Sequence, residues 1–87
     1  MLLFVEISMY PLKEAYIGPI QTFIDRLNSH PSLDVATNAT ATHVSGEYAE
    51  VMQILGQEMQ RIHEEIGQSI FVCKFLNGDK MGKRAGE

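Results

Sequence analysis

The stretch Thr37-Asn38-Ala39-Thr40-Ala41-Thr42-His43-Val44-Ser45-Gly46-Glu47-Tyr48 decides how this chain is organised. It predicts two strands, residues 33–38 and 40–46, with a tight link near Ala39 and a helix directly after them. Strands built for stability alone carry more bulky β-branched and aromatic residues. Thr, Asn and Ser instead offer several uncharged hydrogen-bonding groups at close spacing. The stretch therefore has the composition of a surface for a small polar ligand.

Two elements precede this stretch. Residues 2–10 predict a strand because polar and apolar positions alternate, and Pro11, which lacks a backbone N–H, is expected to end it. One face of that strand carries Leu3, Val5, Ile7 and Met9, and the other carries Leu2, Phe4, Glu6, Ser8 and Tyr10. Gly18-Pro19 then opens a helix whose apolar residues follow helical spacing up to Leu27.

Two more elements follow it. Residues 47–66 predict a second helix with an apolar stripe, which consists of Tyr48, Val51, Met52, Leu55, Met59, Ile62 and Ile66. Gly46 is expected to let the chain turn into this helix, and Gly67 to end it as a C′ glycine. Residues 69–76 predict a fourth strand that is apolar on both faces apart from Lys74.

The order of elements is therefore β-α-β-β-α-β, which is the ferredoxin-like pattern of an α+β domain. Right-handed crossovers predict a four-stranded antiparallel sheet in the order 4-1-3-2, with both helices on one face. With 87 residues, the chain is long enough for one domain. We assign this domain to residues 1–76 and expect residues 77–87, which contain three glycines and mixed charges, to form a flexible tail.

This strand order predicts a shallow pocket at one edge of the sheet. The end of the first strand, the end of the second and the start of the third meet there, and they bring together Ser8, Tyr10, Thr37, Asn38, Thr40 and Thr42. Uncharged hydrogen-bonding groups beside an aromatic wall suit a small-molecule site. The alternative is that Thr and Asn serve only the strands and the turn.

Composition argues against several classes of function. A net charge of −4 disfavours a dedicated nucleic-acid binder. The single cysteine, Cys73, fits a reducing compartment, and the beginning of the chain lacks the features of a signal peptide, so we expect a cytoplasmic protein without a membrane segment. His30, His43 and His63 lack second ligands at metal-binding spacing, so we expect no metal and no cofactor.

The distribution of apolar residues predicts a homo-oligomer. Helices cover one face of the sheet, yet Leu2 and Phe4 lie on the other face, and the fourth strand is an apolar edge. An open apolar edge strand favours pairing with another chain. We therefore expect a dimer or a tetramer.

Four segments occur together in an order that resembles a known family. These are Ser8-Met9-Tyr10-Pro11-Leu12, Tyr16-Ile17-Gly18-Pro19-Ile20, Thr37-Asn38 with Thr42, and Val44-x-Gly46-Glu47-Tyr48-x-x-Val51-Met52. The combination is similar to that of the small thiamine-binding, YkoF-like proteins related to MTH1187. The resemblance implies a ferredoxin-like domain, often assembled as a dimer of dimers, that binds thiamine or its hydroxymethylpyrimidine moiety without catalysis. By position, it implies ligand contacts at Ser8, Tyr10, Thr37, Asn38 and Thr42.

Two other functions stay open on the sequence. One is a structural or regulatory oligomer without this ligand, in which the polar stretch is strand chemistry alone. The other is a cofactor-free enzyme on a dimeric ferredoxin-like fold, which would need a buried His or carboxylate directed into a cavity.

Overall fold

The computed structural model describes residues 1–78. The elements are β1 (Leu2–Pro11), α1 (Ile17–Asn28), β2 (Asp34–Thr37), β3 (Thr42–Glu47), α2 (Tyr48–Glu65) and β4 (Ser69–Asn77). This is the predicted order, so the expectation of a ferredoxin-like α+β domain is confirmed. β4 extends to Asn77, and residues 79–87 of the predicted tail lie outside the described residues.

The four strands form one antiparallel sheet in the order β2-β3-β1-β4, which is the predicted order in reverse notation. β1 lies in the middle, where Ile7 is opposite Thr42 of β3 and Cys73 of β4. Because β1 and β2 both pair antiparallel with β3, the ends of these two strands and the start of β3 meet at one edge.

Both helices pack on one face of the sheet. Leu3, Val5 and Ile7 of β1 are buried there, and they share one core with Phe23 and Leu27 of α1 and with Val51, Leu55 and Ile62 of α2. The alternation along β1 therefore directs its apolar face to the helices, as predicted. Within residues 1–78, no helix is long and apolar enough to cross a membrane.

The buried stripe of α2 differs from the predicted one. Tyr48 and Met52 are exposed, whereas Ile54 and Glu58 are buried. Glu58 is 3% exposed, and its carboxylate accepts a hydrogen bond from Nε2 of His30 at 2.7 Å. The hydrogen bond from His30, which lies after α1, satisfies the buried carboxylate. Glu58 can therefore lie on the buried face of α2, although hydropathy alone would assign it to solvent.

The link between β2 and β3 is longer than predicted. The strands end at Thr37 and Thr42, and beyond them the N–H of Asn38 still donates to the carbonyl oxygen of Ala41 at 3.0 Å. The side-chain oxygen of Asn38 accepts hydrogen bonds from the backbone N–H groups of Thr40 and Ala41. These N–H groups are then not available to extend the strands. Local side-chain bonds of this kind compete with sheet pairing.

Gly46 and Gly67 have different roles. Gly67 has a φ of 113°, so the predicted helix-ending glycine is confirmed. Gly46 lies within β3 without a positive φ, and the expectation that it turns the chain is wrong. A Cβ at Gly46 would lie 3.2 Å from the carbonyl oxygen of Ser32 and 3.1 Å from Cγ2 of Val51, so this glycine permits close packing.

Candidate ligand-binding site

A cavity of about 450 Å³ lies between the end of β1, the start of α1 and the β2–β3 link. This volume is within the range of small-molecule sites. The cavity is at the sheet edge where the strand order predicted a pocket, on the face that carries the helices.

The floor of the cavity is apolar. Ile7 and Met9 reach it from β1, and Ile20, Phe23 and Ile24 reach it from α1. Helical spacing predicts that these α1 residues face the interior of the protein. It does not distinguish a side chain that packs in the core from one that lines a cavity. Sequence reasoning therefore assigned them to the core and missed them as part of the site.

Two threonine hydroxyls form the central part of the polar wall. Oγ1 of Thr37 lies 3.5 Å from Oγ1 of Thr42, and Thr42 is 6% exposed. Hydroxyl–hydroxyl bonds are commonly 2.7–2.8 Å long, so this contact is weak. Since each hydroxyl has one donor and two acceptor positions, both retain capacity for a ligand.

Asn38 uses its side-chain oxygen within the turn. Its Oδ1 accepts the N–H of Thr40 at 2.9 Å, the N–H of Ala41 at 3.0 Å and the hydroxyl of Thr40 at 3.1 Å. Its Nδ2 makes no hydrogen bond with the described residues. The two N–H groups of Nδ2 are thus the part of Asn38 that a ligand can use.

Two tyrosines line the mouth of the cavity. Tyr10 lies near the end of β1 and Tyr16 directly before α1, and both are more than half exposed. Aromatic faces at this position are suited to stacking on a flat ring.

Ser8 lies on the other face of the sheet. It is opposite Val72 of β4, and its hydroxyl donates a hydrogen bond to the carbonyl oxygen of Thr40 at 3.3 Å. The structure therefore brings Tyr10, Thr37, Asn38 and Thr42 to the cavity, while Ser8 supports the link from behind. A ligand contact at any of these five residues stays a prediction.

The cavity wall is uncharged. Among the residues that the structure describes, those lining the cavity include no Asp, Glu, Lys, Arg or His. The region 1–78 contains no group of three His, Cys, Asp or Glu side chains that could hold a metal ion. The wall thus offers hydrogen bonds and apolar contact.

The charged clusters lie elsewhere. On the open face of the sheet, Oε1 of Glu6 lies 3.3 Å from Nε2 of His43, and Oε2 of Glu6 lies 3.6 Å from Nζ of Lys74. Between the helices, the hydrogen bond from Arg26 lowers the pKa of Glu65. Neither cluster reaches the cavity.

Cys73 packs half-buried against the core from β4. Burial raises the pKa of its thiol, which keeps the side chain neutral. The position fits a small apolar side chain.

A second groove, of about 550 Å³, lies at the end of α2 beside Leu12, His63 and Ser69. Nε2 of His63 donates to the carbonyl oxygen of Ser69 at 3.0 Å, so the ring is already engaged there. We place the candidate site in the first cavity because the hydroxyls of Thr37 and Thr42, which retain hydrogen-bonding capacity, line it.

The structure is a ferredoxin-like domain with a cavity of ligand size at one edge of its sheet. No protein-family model and no curated protein match the chain. Solved structures do. The protein SP2199 from Streptococcus pneumoniae is 20% identical, with a TM-score of 0.82 over 94% of this chain and 92% of that one.

Two further solved structures have a similar fold, and their descriptions relate to the resemblance found in the sequence. TM0486 from Thermotoga maritima, described provisionally as a thiamine biosynthesis/salvage protein, is 17% identical, with a TM-score of 0.78 over 97% of this chain and 89% of that one. A domain of unknown function, DUF77, from Bacillus cereus is 15% identical, with a TM-score of 0.68 over 90% of this chain and 77% of that one. The YkoF-like resemblance is thus confirmed at the level of the fold.

Proposed function

We propose that this protein binds thiamine or its hydroxymethylpyrimidine moiety in the cavity, without catalysis. The observation that carries the proposal is the hydroxyl of Thr42, a residue that is 6% exposed, which has a weak partner in Thr37 and lines a cavity with an apolar floor. A buried polar group favours a hydrogen-bonding partner. An aminopyrimidine has ring nitrogens and an amino group to offer, together with a flat apolar face.

The likeness to TM0486 supports this choice of ligand. That protein is linked by its description to thiamine biosynthesis or salvage, and it has the same fold. Because the two chains are only 17% identical, the likeness establishes a shared fold alone. The argument for the ligand therefore depends on the chemistry of the cavity. The use of a single cysteine supports a role in the cytoplasm.

The chemistry of the wall supports a binding role without catalysis. Proton transfer and nucleophilic attack use His, carboxylate, Lys or Cys, or a Thr or Tyr hydroxyl that an adjacent base or cation activates. The lining residues among those described are aliphatic, aromatic, hydroxyl or amide in character. Turnover of thiamine or of the pyrimidine by the purified protein would contradict this part of the proposal.

Calorimetry with a cavity-filling variant tests the site. We expect thiamine and hydroxymethylpyrimidine to bind the wild-type protein, and Ile20→Trp to abolish binding because Ile20 lines the cavity. Ile17→Trp is the matched control, since Ile17 lies one turn earlier on α1, is exposed and does not line the cavity. Absence of heat with both ligands, in a folded wild-type protein, would exclude this function.

We also propose that the protein is a homo-oligomer, a dimer or a tetramer, that pairs through the sheet face opposite the helices. The register places Leu76 beside Phe4 and Val72 beside Ser8 on that face, with the charged side chains of Glu6 and Lys74 between these two pairs. The exposed large apolar residues of this face are Leu2, Ile70, Val72 and Leu76. Large exposed apolar patches are uncommon on monomers, and burying each such side chain contributes roughly 1.5–3 kcal/mol.

Light scattering tests the assembly. We expect a mass of two or four chains for the wild-type protein and a shift toward one chain for Val72→Glu, which replaces an exposed apolar side chain of that face by a carboxylate. Gln57→Glu is the control, because Gln57 is exposed on α2. A wild-type monomer at micromolar concentration would contradict the proposal.

The open face also favours a second function, that of a structural or regulatory oligomer without this ligand. It predicts an oligomer that is insensitive to Ile20→Trp and produces no heat with either compound. The calorimetric and scattering measurements together separate the two functions.

A further inference from the structure

We propose that the cavity selects its ligand by charge: it accepts an aminopyrimidine whose exocyclic methylene carries a neutral or cationic group, and it rejects the phosphate ester at the same methylene. This inference rests on the proposed function and adds the chemical form of the ligand. In a reaction sequence, the protein would then hold the substrate of a phosphoryl-transfer reaction and release its product.

Within residues 1–78, the wall supplies no counter-charge for a dianion. Its polar side-chain groups are the amide of Asn38 and the hydroxyls of Thr37, Thr40, Thr42, Tyr10 and Tyr16, and its floor is apolar. Moving a phosphate from water to such a surface is unfavourable unless cations or several converging N–H groups replace its hydration. A neutral hydroxymethyl group has a small desolvation cost there and can hydrogen-bond to a threonine.

The basic residues of the described region are engaged away from the cavity or do not line it. Arg26 and Arg61 form ion pairs with Glu65 and Glu58 between the helices, and Lys74 pairs with Glu6 on the opposite face of the sheet. Lys13 lies in the exposed segment between β1 and α1 and is not among the lining residues.

The acidic residues of the same region add to the effect. Residues 1–78 contain nine Asp and Glu residues against four Lys and Arg residues. This excess produces a negative field around the domain, which attracts a cation and repels an anion. A cationic thiazolium at the cavity mouth is therefore favoured over a phosphate at the same position.

The beginning of α1 offsets this preference only in part. Free N–H groups at a helix N-terminus attract anions. Here the helix begins with Ile17, Gly18 and Pro19; none of the three lines the cavity, and Pro19 has no N–H. This helix end therefore offers an anion one N–H group fewer than an ordinary helix does.

Three compounds that share one pyrimidine ring allow the effect of the charge on the exocyclic methylene to be measured. Hydroxymethylpyrimidine carries a hydroxyl on the exocyclic methylene, thiamine carries the cationic thiazolium, and hydroxymethylpyrimidine phosphate carries the dianion. In calorimetric titrations of the wild-type protein, we expect the phosphate ester to bind at least about tenfold more weakly than the other two.

A variant that adds a positive charge to the wall tests whether the wall is the origin of the selection. Ala39 lines the cavity, is exposed and has no polar side-chain group, so Ala39→Lys adds a cation at the wall and leaves the Asn38 contacts in place. We expect this variant to bind the phosphate ester more tightly than the wild type and thiamine less tightly. Gln53→Lys on exposed α2 changes the net charge equally without placing a cation at the wall.

The outcomes separate this inference from the proposed function. Equal affinity for hydroxymethylpyrimidine and its phosphate would overturn the charge selection and leave the proposed function standing. An identical response of Ala39→Lys and Gln53→Lys would also overturn it, since the selection would then not arise at the wall. Absence of binding by all three compounds would overturn both proposals together.

Discussion

The carboxamide oxygen of Asn38 accepts the backbone N–H of Thr40 at 2.9 Å, directly after the last paired residues of β2 and β3. The same oxygen accepts the N–H of Ala41 at 3.0 Å. The hydrogen bonds fix the link that forms one wall of the cavity. Asn38 is thus a turn residue through its oxygen and a candidate ligand contact through its nitrogen.

Substitution of Asn38 by aspartate separates these two roles. Asn38→Asp retains an oxygen for the N–H groups of Thr40 and Ala41 but loses the two donors of Nδ2. We expect a melting temperature close to that of the wild type together with weaker binding of hydroxymethylpyrimidine, a neutral ligand whose affinity the new carboxylate charge affects less than that of cationic thiamine.

Asn38→Ala is the comparison variant, and it should lower both the melting temperature and the affinity. Differential scanning calorimetry and titration calorimetry measure the two effects. Full affinity in Asn38→Asp would restrict Asn38 to the turn.

The hydroxyl of Thr42 is expected to contact the ligand directly. Thr42→Val keeps the side-chain shape and removes the hydroxyl, so thiamine affinity should fall about tenfold, which corresponds to ~1.4 kcal/mol. Stability should change little because the hydroxyl has one weak partner at 3.5 Å.

Thr22→Val serves as the control for that substitution. The hydroxyl of Thr22 donates to the carbonyl oxygen of Gly18 on α1 and does not line the cavity. Its removal should leave affinity unchanged. Equal affinities of Thr42→Val and the wild type would place the binding contacts elsewhere.

Two glycine substitutions are expected to have opposite effects. Gly46→Ala should destabilise the protein by about 1–3 kcal/mol, because its Cβ would lie within 3.3 Å of Val51, Leu33 and the carbonyl of Ser32. Gly56→Ala on α2 should stabilise it by about 0.5–1 kcal/mol, since that Cβ meets nothing within 4 Å. Chemical denaturation measures both, and a neutral Gly46→Ala would show that the β3–α2 junction relaxes easily.

The Arg26–Glu65 bond predicts a particular pH dependence. It lowers the pKa of Glu65 below its ordinary value of 4.5. A lowered folded-state pKa contributes stability that is present above the unfolded value and is lost as the pH falls through the folded value.

The melting-temperature difference between wild type and Glu65→Gln should therefore be largest near neutral pH and shrink below pH 4.5. Glu64→Gln is the neighbouring control, because Glu64 is exposed on the same helix. A difference that stays constant from pH 7 to pH 3 would contradict this assignment.

The fold was accessible from the sequence because its periodicities are local. The two-residue alternation of β1 and the helical spacing of α1 specify each element without a partner. The order of elements and the handedness of crossovers then leave one sheet arrangement. Strand ends were less predictable, since they depend on the geometry of the turn, in which the bonds of Asn38 take part.

The candidate site was accessible in part. Polar residues stand out in a strand pattern, so Thr37, Asn38 and Thr42 could be identified before the structure was known. Ile20 and Ile24 could not, because an apolar side chain that lines a cavity has the same spacing as one in the core.

What the sequence by itself determined is the class of each element, the topology of the sheet and the polar character of the β2–β3 link. Tertiary structure alone decided which atoms of that link are free. The oxygen of Asn38 is used in the turn, Ser8 supports the link from the opposite face, and the hydroxyls of Thr37 and Thr42 remain open above an apolar floor. The reason is physical: residue type sets the hydrogen-bonding groups available, whereas packing and register select the groups that retain a vacant position for a ligand.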